Sequence, residues 1–108
     1  MERRKRSRKK TRRDVYFVSS DADGNKILQD MATVLNINEN GLLLESPHNL
    51  IGTRRIKIIA SSGDQHSSEV DGSVVYSIRI ADNKFNTGIA FDDTPEAAKS
   101  FTAAVMKK

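Results

Sequence analysis

The residues with the most chemistry to offer lie at the N-terminus. Met1 to Arg13, MERRKRSRKKTRR, holds nine of the chain's eighteen Lys and Arg residues against one acid, Glu2, a formal charge of +8. The other ninety-five residues carry nine bases and thirteen acids, or −4, which leaves the whole chain at +4. A mildly acidic body behind a strongly basic arm points to an anionic partner. Within the arm, Arg4 and Arg8 form an R-x-x-x-R spacing, with Arg3 directly before it. A guanidinium clamps phosphate oxygens in pairs and stacks its plane on flat rings. A second polar group follows in Asn36-x-Asn38-x-x-Gly41. Its amides donate and accept, and its glycine permits a positive φ or a close backbone approach.

Catalytic patterns are missing around these groups. His48 and His66 fall in polar loops without a second ligand at a zinc-like spacing, and read as surface residues. No serine stands in a nucleophile elbow, and no phosphate loop or dinucleotide fingerprint occurs. Asp92-Asp93 is a carboxylate pair at a strand-to-helix junction, where acids serve capping. The chain reads as a binder rather than an enzyme, without metal or cofactor. With no cysteine, a disulfide framework and a thiolate metal site are both excluded. No run approaches the roughly eighteen apolar residues of a membrane span, and no apolar segment follows the basic start. The expectation is a cytoplasmic protein.

The elements that must position these groups are mostly strands. At 108 residues the chain has room for one core. Val15-Tyr16-Phe17-Val18 has strand composition and ends at the turn Asp21–Asn25. Ala32 to Ile37 alternates, with Thr33, Leu35 and Ile37 on one face and Ala32 and Val34 on the other. Asn40-Gly41 signals a hairpin turn into Leu42-Leu43-Leu44. Pro47 and Gly52 mark a loop, Arg55–Ile58 a fourth strand, and Ser61–Gln65 another turn. Val74, Tyr76, Ile78 and Ile80 then recur at every second position, Asp82-Asn83 turns the chain, and Thr87–Phe91 closes the last strand. Six short strands imply an all-β barrel or sandwich. One helix follows, with Thr94 as N-cap, Pro95 at the first position and Glu96 near the dipole's positive end. Its apolar face is Ala97, Phe101, Ala104 and Val105, and Lys107 and Lys108 suit its end. The predicted organisation is a flexible basic arm, residues 1–13, and a domain, residues 14–108.

An R-x-x-x-R arm, an N-x-N-x-x-G segment at the end of the second strand, six strands and a closing helix together resemble the PilZ domain family over nearly the whole chain. Gly88-Ile89-Ala90-Phe91 adds the family's late glycine before a buried aromatic. Arg8 and Arg12 repeat the spacing, but Arg4 and Arg8 leave the family-like gap before Val15. The resemblance implies a six-stranded antiparallel β-barrel with a C-terminal α-helix that binds cyclic di-GMP, a bacterial second messenger. It implies Arg4, Arg8, Asn36, Asn38 and Gly41 as ligand-binding residues. Arg3 is expected to add contacts to a second, stacked ligand molecule. Arginines would grip guanine O6 and N7 as well as phosphate, and closure of the arm would alter the surface offered to an effector protein. Asn38 stands where the family carries serine, and Asn36 where it carries aspartate or asparagine. Two alternatives remain open: a PilZ-like interaction module that binds no nucleotide, and a small basic barrel that binds nucleic acid. Few aromatics are available for base stacking, four Phe and two Tyr, which disfavours the second.

Overall fold

The structure, a computed structural model, describes residues 9–53, 55–61 and 67–106. Arg3, Arg4, Arg8, His66, Lys107, Lys108 and most of the expected turn after Ser61 lie outside the described residues. The elements are β1 (Lys9–Ser20), β2 (Lys26–Asn38), β3 (Gly41–Ser46), β4 (Arg55–Ser61), β5 (Ser67–Ala81), β6 (Lys84–Phe91) and α1 (Pro95–Met106). All strand pairs are antiparallel, and the order β1-β2-β3-β6-β5-β4 closes when β4 returns to β1. The expected six-stranded antiparallel barrel with a C-terminal helix is the observed architecture.

The strands are longer than the sequence suggests. β1 has twelve residues, β2 thirteen and β5 fifteen. Lys9–Arg13, read from composition as the end of the arm, belong to β1, where Lys9 stands opposite Ile37 and Lys10 opposite Asn36. Ladder bonds to β2 set this segment's backbone, and composition alone does not register a partner distant in sequence; pairing overrides propensity here.

The core fills the barrel from alternate positions: Val15 and Phe17, Ala32 and Val34, Leu42 and Leu44, Ile56, Ile58 and Ala60, Val70, and Ile89. Two bulges reset the alternation. The β2–β3 ladder slips between Val34 and Asn36, so Leu35 is the extra residue. Ile37 is thereby buried on the same side as Ala32 and Val34, not opposite them as strict alternation requires. The β5–β6 ladder slips between Val74 and Tyr76. Beyond it Tyr76, Ile78 and Ile80 turn outward, and Ser77 takes the inner face, where its hydroxyl meets Thr87 Oγ1 at 2.8 Å.

The helix starts as its sequence dictates. Thr94 Oγ1 accepts the Ala97 amide at 3.1 Å, and the Ala98 amide bonds the Thr94 carbonyl at 3.0 Å. The buried stripe is Ala98, Phe101 and Val105, one position on from the expected Ala97, with Ala97 and Ala104 half-buried at its margins. Phe101 meets Phe91 edge to face, centroids 6.3 Å apart. Arg13 ties the other end of the helix to the sheet, Nη1 donating to the Ala104 carbonyl at 2.8 Å and Nη2 to that of Ser61. Asp92 and Asp93 hold the junction: Asp92 accepts the Ser73 hydroxyl, and Asp93 accepts the Asp71 and Thr94 amides.

His48 departs from the surface reading. It is half-buried, packs edgewise on Phe17, and its Nε2 donates to Asp30 Oδ2 at 2.7 Å. That bond, with the Met31 amide, holds the Asp30 carboxyl below its ordinary value. A carboxyl lowered in the folded state stabilises it above the unfolded pKa, and the gain is lost as pH falls through the folded one. The melting-temperature deficit of Asp30→Ala should therefore be present at neutral pH and shrink below about pH 4. Thermal melts of both proteins across that range measure it, and a deficit independent of pH would exclude the hydrogen-bonded Asp30 carboxylate as its cause.

Candidate functional site

Residues directly opposite one another in a ladder share a face. Ile37, Leu42 and Ile89 are buried and consecutive across β2, β3 and β6, so their sequence neighbours face outward. Two outer rows result. One runs through Asn36, Leu43, Gly88 and Tyr76; the other through Asn38, Gly41, Ala90 and Ser73. The structure thus brings Asn36, Asn38 and Gly41 together on one outer strip, continued by the small residues Gly88, Ala90 and Ser73. The bulge at Leu35 is what does this, because unbroken alternation from Ala32 and Val34 would turn Asn36 into the core.

The hairpin is one residue away from where Asn40-Gly41 suggests it. Asn38 pairs with Gly41, leaving Glu39 and Asn40 as the two turn residues, the positions that the PilZ pattern leaves variable. Asn38 Oδ1 accepts the amides of Asn40 at 2.7 Å and Gly41 at 3.2 Å, so the side chain builds the turn. Gly41 serves close approach and not positive φ. A Cβ there would lie 2.1 Å from the Ile89 carbonyl oxygen, where β3 meets β6. The Phe91 amide bonds the Asn40 carbonyl at 2.9 Å and secures the turn against β6.

Gly88 is a second close contact: its Cβ would meet the Tyr76 ring at 2.4 Å. Tyr76 therefore lies across Gly88 and walls the strip on the β5 side. Sequence reading placed Tyr76 in an alternating apolar set, and only the non-local bulge at Val75 reveals it on the outer face. Phe91, expected buried, is partly so.

Arg12, Arg13 and Lys84 are engaged with the sheet and helix. Arg12 Nη2 lies 3.5 Å and Lys84 Nζ 3.9 Å from the Glu45 carboxylate, and Arg13 holds the helix end and Ser61. Among the described residues no group of three or more His, Cys, Asp or Glu is placed to hold a metal ion. No helix among them is long and apolar enough to cross a membrane.

A closed six-stranded antiparallel sheet, capped by one helix and carrying a polar strip at its second hairpin, is the class of protein defined by this geometry. The particular likeness is to K. pneumonia MrkH in its apo state, with a TM-score of 0.63 over 98% of this chain and 14% sequence identity. The match takes in 52% of MrkH, so this chain spans about half the length of that one. At that identity the likeness is one of fold alone. No family model matches the chain, and no curated protein matches it.

Proposed function

We propose that the domain binds cyclic di-GMP on the outer strip and acts as a second-messenger receptor rather than an enzyme. The observation that carries this reading is the register of β1. Lys9 and Lys10 stand opposite Ile37 and Asn36, so the chain segment bearing R-x-x-x-R joins the sheet beside the N-x-N-x-x-G hairpin. Arg8 immediately precedes Lys9 in the chain, and Arg4 lies four residues before Arg8. The roles follow from chemistry. Arg4 and Arg8 supply bidentate grips on phosphate or guanine edges, and Arg3 extends them to a second ligand molecule. Asn36 supplies an amide from the rigid side of the strip. Asn38, its carbonyl engaged in the turn, contributes its Nδ2 donor. Ala90 and Ser73 keep the outer row beside Asn38 and Gly41 low.

Fixing the arm's backbone costs about 1–2 kcal/mol per residue, which offsets much of the contact energy. Binding should be modest and weaken with salt. The closed arm alters the surface offered to an effector protein, which is the output of the signal.

Calorimetry with cyclic di-GMP at low and moderate salt, with GTP as control, tests this. Saturable, salt-sensitive heat should fall at least about tenfold in affinity for Arg8→Ala, the loss of one charge-assisted contact. Lys9→Ala should bind like the parent. Absence of heat at either salt sinks the receptor reading. The engagement of Asn38 in its own turn favours a second reading, an interaction module that binds no nucleotide. In that case Asn38→Ser should create binding that the parent lacks.

A further inference from the structure

The first strand is interrupted where the basic arm joins it. Between the pairs that Val34 and Asn36 make, β3 advances one residue, from Leu44 to Leu43, and β2 advances two. Over the same step β1 advances three, from Arg13 to Lys10. Thr11 and Arg12 therefore face Leu35 alone, a bulge that breaks the ladder and bends the strand. Lys9 and Lys10 lie on the arm side of this pivot, and Arg13 is the first residue on the barrel side.

Arg13 is placed to register a movement there. It stands opposite the buried Val34 and two residues before the buried Val15, so its half-buried side chain turns inward. Nη1 donates to the Ala104 carbonyl at 2.8 Å and Nη2 to that of Ser61. One guanidinium thus joins β1, the end of β4 and the last turn of α1. Ala104 is among the last four residues of the helix, whose carbonyls lack an intrahelical partner. The described last turn carries no basic side chain of its own, and Arg13 supplies from β1 the positive charge that a helix end favours. Packing of Ala98, Phe101 and Val105 has no direction, whereas this charge-assisted bond has one and acts at one point.

We infer that Arg13 couples the arm to the helix. Movement of the chain ahead of Thr11 makes or breaks the bond to Ala104, and so sets how firmly the last turn of α1 is held. The two states are the capped end seen here and a frayed end from which Arg13 has withdrawn. The coupling belongs to the fold and needs no particular ligand. One consequence rests on the receptor reading: closure of the arm over cyclic di-GMP is felt by an effector at the C-terminal end of α1.

A covalent lock at the root of the arm tests the coupling without ligand. The chain has no cysteine. Lys10 and Asn36 are direct ladder partners, which places their Cα atoms about 4.5–5.5 Å apart, within disulfide reach. Lys10→Cys with Asn36→Cys, once oxidised, should slow amide hydrogen exchange at residues 103–106 about fivefold, the low end of coupling between sites. In an Arg13→Gln background the same lock should leave those amides unchanged. A lock between Val18→Cys and Gln29→Cys, on the same ladder but beyond Arg13, should leave them unchanged in either background. Arg13→Gln alone should quicken exchange at the helix end and, by reciprocity, at Lys9 and Lys10.

A helix end that ignores the first lock, or responds equally without Arg13, overturns the coupling. So does an Arg13→Gln protein whose helix frays while Lys9 and Lys10 keep their protection. Thiols at positions 10 and 36 that fail to join would remove the register on which the pivot stands. Calorimetric binding of cyclic di-GMP without slower exchange at residues 103–106 would overturn the helix as readout and leave the receptor reading intact. Absence of heat would overturn that reading, and the lock alone then decides the coupling.

Discussion

Phe101→Ala should lower the stability of the domain by about 3–5 kcal/mol, the usual cost of deleting a buried phenyl ring. Phe101 is fully buried and is the largest side chain that α1 places against the barrel. A twelve-residue helix is marginal in isolation and persists through the packing of its apolar stripe. Ala98 is small and Val105 lies a turn beyond, so no neighbour replaces the lost ring. The edge contact with Phe91 goes with it. A loss of this size is a large part of the 5–15 kcal/mol typical of a domain. Urea unfolding followed by circular dichroism measures it, and Phe101→Leu, which keeps most of the volume, should cost less than half as much. Equal costs for the two would show that the ring does not anchor the helix.

Gly41→Ala should cost about 3 kcal/mol, at the upper end of ordinary overpacking. The added methyl falls 2.1 Å from the Ile89 carbonyl oxygen, and the obstruction is backbone, which no rotamer change relieves. β3 must move from β6, and the bond from the Phe91 amide to the Asn40 carbonyl is strained with it. Gly24→Ala is the matched comparison. Its Cβ meets nothing within 4 Å, but its φ of +84° is one that alanine adopts poorly. That substitution should cost about 1 kcal/mol. Denaturant midpoints of the two variants, without ligand, separate close approach from backbone strain. A Gly41→Ala protein no weaker than Gly24→Ala would mean that β3 and β6 do not meet so tightly.

Much of the fold was legible because its signals are local. The cap at Thr94 with Pro95 and Glu96 was readable from three consecutive residues, and Thr94 does accept the Ala97 amide. The turns Asp21–Asn25 and Asp82-Asn83 appear where turn residues cluster, Asn83 with a φ of 57°. The second hairpin was found but misplaced by one residue, because Asn40-Gly41 has the composition of a different turn from the one that Asn38 builds with its own carbonyl. His48 was read as a plain surface residue because its partner, Asp30, is distant in sequence and carries no motif.

By itself the sequence determined strand composition, helix capping, the absence of thiol chemistry, and the concentration of positive charge before residue 14. The tertiary structure alone decided which way the side chains point beyond Val34 and beyond Val74. Strict period-two alternation sends Asn36 to the core face and leaves Tyr76, Ile78 and Ile80 in line with Val74. One extra residue in each ladder, Leu35 and Val75, reverses both. A bulge is a mismatch in length between two paired strands, so it resides in the pairing and not in either strand's sequence. Those two slips create the polar strip around Asn36 and Asn38 and turn Tyr76 and Ile78 outward.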